Sequence, residues 1–281
     1  MKQWISVAGW LIAASVSLMA TGPRITGAMF TSVPNEIVAI ESAPFYTNQY
    51  PTGGMLFEIV TAALSSEEQT ATLTTYPVQK MVNYYLTQEK VLGALGTTWN
   101  LSAAEKKKVV AFPISIVHQH YYYYRPFHPK GISWGGKLSN LKGFRYGSQE
   151  GADTDMYTKA GITVVYGRSL SLFKKLEEGS VDFVGNPDLS TKAIVDTNFA
   201  ADKNQFAVME PAPKEVIGML LFNRQNPDAE VISKKFRKGM TTILKNGQYQ
   251  TIIEKYEGKT PLASQHIEKF KTLWEKELLK K

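Results

Sequence analysis

The chain contains no cysteine. That excludes a disulfide framework, a thiolate zinc site, a cysteine nucleophile and an acylated N-terminal cysteine. It leaves the redox compartment open, because a chain of 281 residues can bury a core without covalent staples. Three catalytic signatures are missing as well: Gly-x-Ser-x-Gly, a Walker loop and His-Glu-x-x-His. One-sided charge is also lacking, since 32 basic and 25 acidic residues leave a formal net charge of only +7. So mild a balance does not point to nucleic acid. With 43% apolar and 20% charged residues the composition excludes a disordered, collagen-like or coiled-coil chain. Beyond residue 20 no stretch is long and apolar enough to span a bilayer, which takes about 20 residues.

What is present starts at the N-terminus. Lys2 precedes a mostly apolar run from Trp4 to Ala20, and small residues follow it. This pattern predicts a signal peptide over residues 1–28, cleaved near Ala28 or Ala20, with Ala28 the better fit to the small-x-small rule. The expected product is a soluble, periplasmic protein. Removing residues 1–28 takes away Lys2 and Arg24 and no acid, lowering the formal charge from +7 to +5.

The rest alternates between two periods. Residues 37–40, 71–75 and 91–95 read as short buried strands. Between them Leu56, Ile59, Val60, Ala63 and Leu64, then Val78, Met81, Val82 and Tyr85, recur at helical spacing. The pattern returns with strands at 144–147, 162–166 and 181–184 and helices near 153–160 and 170–176, the second ended by Gly179. Extended segments at 109–117 and 121–124 join the two units. Residues 216–222 form a further strand, followed by a helical stripe through Ile232, Phe236, Met240 and Ile243 that Gly247 stops. Alternation of this kind predicts α/β architecture with mostly parallel sheets and helices on their faces. The tail carries Ile267, Phe270, Trp274 and Leu278 on one helical face. It suits a helix docked on its own domain, a membrane-surface helix or a partner helix.

Several local patterns coincide in order. Ser42-Ala43-Pro44-Phe45 precedes Gly53-Gly54-Met55 and Glu58-Ile59-Val60. Leu101-Ser102-Ala103-Ala104-Glu105-Lys106 leads into Val109-Val110-Ala111-Phe112-Pro113-Ile114. Leu141-Lys142-Gly143, Gly161-Ile162-Thr163-Val164, Leu176-Glu177-Glu178-Gly179-Ser180-Val181-Asp182-Phe183, Lys245-Asn246-Gly247-Gln248-Tyr249 and Glu254-Lys255-Tyr256 complete the series. Over roughly residues 35–257 the chain resembles the extracellular (periplasmic) solute-binding proteins of family 3, amino-acid-type receptors of ATP-driven importers.

The resemblance implies a two-lobed periplasmic binding protein-like fold, with two crossover strands as the hinge. Lobe one would be assembled from 33–115 plus 213–257, lobe two from 116–212, and 258–281 would be an amphipathic C-terminal helix. It also implies a small-molecule ligand, an importer permease as partner, a monomer and no cofactor. An alternative is a sensor or partner-binding protein with a degenerate pocket. Another is an enzyme, because a few relatives of this fold are dehydratases acting on prephenate-like acids.

Members that bind α-amino acids share three devices, which map here with departures. The arginine that takes the carboxylate is replaced by Lys106, which either holds an anion as a point charge or belongs to the solvated run 106–108. The Ser/Thr position falls at Ala152 or Asp153, and Asp153 would cap a helix or contact ligand. The amine-binding acid falls on Pro187, between Asn186 and Asp188, and a one-residue shift makes it Asp188. Phe45 and Tyr46 stand where the family places an aromatic over the ligand, and Trp99 lies in a neighbouring loop. An aromatic face beside an acid suits an amine. The lost arginine counts against the dehydratase reading. His118-x-His120 shares one strand face, but no carboxylate lies near it in sequence, so no metal is expected.

Overall fold

The structure is a computed structural model and describes residues 35–98, 101–213 and 215–279. The expected signal peptide and cleavage positions lie outside the described residues. In the first part of the chain the apolar runs become β1 (Glu36–Ile40), β2 (Thr72–Tyr76) and β3 (Val91–Gly96). The helical stripes between them become α1 (Met55–Ser65) and α2 (Gln79–Leu86). A short α3 (Ala103–Lys106) follows, started by a capping box between Ser102 and Glu105. Then come β4 (Val109–Val117) and β5 (Gln119–Tyr124).

The second part holds β6 (Arg145–Gln149), α4 (Asp155–Lys159), β7 (Thr163–Gly167), α5 (Ser169–Glu177), β8 (Phe183–Pro187), α6 (Asp188–Asn198) and β9 (Phe206–Met209). The chain then returns through β10 (Val216–Asn223) to α7 (Ala229–Lys245), α8 (Gln248–Glu257) and α9 (Pro261–Leu278).

Two five-stranded sheets result, in the orders β2-β1-β3-β10-β4 and β7-β6-β8-β5-β9. Each contains a parallel trio, next to which one strand (β10 or β5) runs antiparallel and the outer strand (β4 or β9) runs antiparallel to that one. The sheets are therefore mixed, with four strands running one way and one reversed in each. The reason is topological: β10 re-enters the first sheet between β3 and β4 from the opposite direction, and β5 enters the second sheet between β8 and β9 in the same way. The first sheet with its helices is called the first lobe below, and the second sheet with its helices the second lobe.

Strand alternation explains how each sheet is covered on both faces. In β1, Ile37 and Ala39 join the core under α1, α7, α8 and α9, and Val38 joins the core under α2. In β5 the tyrosines divide likewise: Tyr121 and Tyr123 face one core of the second lobe, and Tyr122 and Tyr124 the other. Helices α1 and α7 approach closely because residue 239 is glycine, where a Cβ would lie 1.9 Å from the Ala63 carbonyl oxygen.

The tail helix docks on the first lobe. Ile267, Phe270 and Trp274 are buried in its core, and the Phe270 ring stacks on Tyr249 at 4.8 Å. Leu278, at the end of the stripe, stays exposed. His266 of α9 is fully buried beneath β4. The Ile116 N–H donates to its Nε2 over 3.2 Å, so the ring proton sits on Nδ1, 2.8 Å from Glu257 Oε1. Among the described residues no helix is long and apolar enough to cross a membrane.

Candidate functional site

The parallel trios decide where a site can form, because loops at the C-terminal ends of such strands surround a crevice. At the end of β1 the chain turns through Glu41, Ser42 and Ala43, tied by a Ser42 N–H bond to the Tyr46 carbonyl at 2.9 Å. The Glu41 carboxylate accepts from Thr75 Oγ1 at 2.6 Å, just before β2 ends. Pro77 and Val78 then lead into α2. In the second lobe Gln149 and Glu150 follow β6, and Gly167, Arg168 and Ser169 link β7 to α5. Gln149 Nε2 donates to Ser169 Oγ at 2.8 Å and ties these two loops together.

These segments wall a cavity of about 420 Å³ between the lobes, with Glu41, Ser42, Gln49 and Tyr50 on one side and Gln149, Glu150, Arg168 and Ser169 on the other. One face of α6 supplies Ser190, Ala193, Ile194 and Thr197. The size lies within the roughly 300–1,000 Å³ of small-molecule pockets. The lobes touch around it: Ser190 Oγ donates to the Ala43 carbonyl at 2.6 Å. Gly151 packs on α2, where a Cβ would come within 3.2 Å of Gln79 Cβ.

A second, smaller cavity of about 90 Å³ lies at the hinge, lined by Phe45, His118, Asp188 and Glu257 among others. His118 is the single residue between β4 and β5, so it joins the two sheets directly. Its ring is mostly buried, stands edge-on to His266 at 5.8 Å, and places Nδ1 3.7 Å from Glu215 on the other crossover. Burial pushes the His118 imidazole below its ordinary value and His266 adds to this, against Glu215. Asp188 heads α6, accepting from Tyr122 OH at 2.7 Å and bonding His120 Nδ1 at 2.9 Å. His118 and His120 thus take different carboxylate partners. Among the described residues no group of three His, Asp or Glu is placed to hold a metal ion.

The residues singled out from sequence are dispersed. Phe45 and Asp188 meet at the small hinge cavity. Tyr46 packs on the first-lobe core, and burial raises its phenol to about 12. Asn186 is buried and donates to Thr191 Oγ1 at 2.9 Å. Asp153 Oδ1 accepts the Asp155 N–H at 3.1 Å at the head of α4, and Asp153 lines an open groove with Ser102 and Tyr166. Lys106 is exposed on α3 and does not line the 420 Å³ cavity. Trp99 lies outside the described residues. The 420 Å³ cavity between the lobes is lined instead by residues that sequence reasoning passed over, chiefly Glu41, Glu150, Arg168 and the α6 face. The available signal was positional: each of those loop residues follows a strand of a parallel trio.

Comparison with solved structures places this geometry. The GluR0 ligand-binding core from Nostoc punctiforme in complex with L-glutamate superimposes with TM-score 0.63 at 15% identity, covering 80% of this chain and 100% of that one. A histidine kinase sensor domain with similarity to periplasmic binding proteins gives TM-score 0.63 at 17% identity, covering 80% and 96%. An ancestral arginine-binding protein bound to glutamine gives TM-score 0.61 at 21% identity, covering 80% and 98%. No protein-family model matches the chain, and no curated protein does. Two mixed α/β sheets, two crossovers and a cleft at the strand ends define the periplasmic binding protein-like fold. At these identities the likeness establishes that fold, and function has to be argued from the site.

Proposed function

We propose that this is an exported solute-binding protein that captures a small polar or amine-containing molecule between its lobes, without chemical conversion, for an ATP-driven importer. The observation that carries the reading is the 420 Å³ cavity walled by loops of both lobes. A ligand touching both walls binds the closed arrangement better than an open one, and that difference in affinity drives closure. The lobes are joined by a single residue at His118 and a short second crossover, which suits rotation about a hinge. A sensor role is the second reading, favoured by the likeness to a histidine kinase sensor domain.

Thermal-shift screening against amino acids, amines and dicarboxylates tests the binding claim. A ligand of the folded state at one hundred times its Kd adds about 2.7 kcal/mol of stability, so the melting temperature rises. A folded protein that no compound stabilises contradicts the reading.

A further inference from the structure

We propose that Arg168 is the anion-binding residue of the inter-lobe cavity and orients the ligand with its anionic group toward the second lobe. The inference rests on the binding reading above and adds to it the ligand's charge and direction. Among the described residues lining the cavity, Arg168 is the one cationic side chain. It stands at the head of α5, where no side chain caps the helix. Its guanidinium makes no hydrogen bond or ion pair with another described residue, and only its carbonyl is engaged, by Leu172 N–H. Two acids share the cavity with it: Glu41 on the first-lobe wall, and Glu150 on the second. Glu41 is held by Thr75 Oγ1, so its carboxylate has a fixed place.

Charge complementarity then describes the ligand. A purely anionic molecule would meet two carboxylates and one guanidinium. A purely cationic one would leave the guanidinium facing positive charge. The wall suits an amphoteric molecule with one anionic group at Arg168 and protonated amines toward Glu41 and Glu150. A guanidinium offers a planar fork for a carboxylate, which an ammonium cannot reproduce. The cation that the resemblance implied for the first lobe, Lys106, is exposed and does not line this cavity. The one cation among the described lining residues thus lies on the second lobe, where the resemblance put it on the first.

The test uses L-lysine and L-arginine with their decarboxylated counterparts, cadaverine and agmatine, titrated into the mature protein by calorimetry. Wild type should bind the amino acids at least about tenfold more tightly than the diamines, the scale of a charge-assisted hydrogen bond. In Arg168→Ala that ratio should fall to about one while affinity for cadaverine and agmatine is kept or rises, and Arg168→Lys should retain part of it. Because the Arg168 side chain is exposed and unbonded, both variants should melt as wild type does. A ratio that survives in Arg168→Ala overturns the assignment and leaves the binding reading standing. No binding of any of the four by wild type overturns the ligand class, and the wider screen then decides the binding reading separately.

Discussion

The two lobes share a topology but are packed differently. In the first lobe the larger core, under α1, α7, α8 and α9, is mostly aliphatic, with Ile37, Leu56, Ile59, Leu92 and Leu220, and a smaller aliphatic core with Val38, Val82 and Leu86 lies on the other sheet face. The second lobe likewise has a core on each sheet face, and both are richer in tyrosine and phenylalanine. There Tyr146 stacks on Tyr157 at 4.1 Å, and Tyr157 shares a 2.9 Å hydrogen bond with Tyr121. Burial raises the Tyr146 hydroxyl to about 12 and raises Tyr157 still further. Asp182 binds Arg145 through its backbone N–H at 2.7 Å and its guanidinium at 2.7 and 2.9 Å. Apolar area is non-directional, whereas stacked phenols and a bridged carboxylate require fixed geometry. Both lobes gain stability from buried area, and the second adds a hydroxyl-bridged tyrosine cluster and a bridged carboxylate to it.

That contrast can be broken by substitution. Phe270→Ala removes a fully buried ring from the first lobe and should cost about 3–5 kcal/mol in urea unfolding. A loss under about 1 kcal/mol would show that α9 is a dispensable attachment. Asp182→Asn, in the second lobe, should cost about 1.5–3 kcal/mol, because it leaves Arg145 without its charged partner. Burial acts to raise the Asp182 carboxyl, but the Arg145 side-chain and backbone bonds outweigh it and hold it below the ordinary range. This contribution is present above pH about 3.9 and is lost as pH falls through the lower folded value, so the variant should lack that part of the acid transition. Tyr157→Phe deletes one hydroxyl bond and should cost about 1 kcal/mol. Equal costs for Tyr157→Phe and Phe270→Ala would erase the distinction between the lobes.

The hinge sharpens it with a smaller effect. His118 is neutral by preference in the fold, its value pushed down by burial. A base whose folded value is depressed contributes stability above its unfolded value of about 6.5 and loses it as pH falls below that. Wild type should lose stability as pH falls below about 6.5, and His118→Gln should lessen that loss. An unchanged pH profile would remove His118 from the account.

Much of the fold was legible because strands and helices here carry clean periods. The stripe of Ile232, Phe236, Met240 and Ile243 became α7, and the tyrosines of β5 faced both cores. Helix α6 was not legible. Its buried face includes Ser190 and Thr191, which bond Ala43 and Asn186, so its apolar pattern is weak. Yet Asp188 directly after Pro187 is the kind of acid-rich helix start that could have marked it. The cavity was illegible for a different reason. Glu41 and Arg168 are far apart in sequence and meet only because both follow strands of parallel trios in two lobes. The tail stripe announced a docked helix, but not that His266 would bond the strand leading to the hinge.

The central claim is that a small molecule is held in the cavity between the lobes. Ala193 lies on its α6 wall, and Ala193→Trp would fill that space. Compounds that stabilise wild type should be titrated into both proteins by calorimetry, with unfolding followed in parallel. Binding should fall by at least about a hundredfold in Ala193→Trp while the folded state is retained. Equal affinity in the two proteins would place the ligand elsewhere and contradict the account.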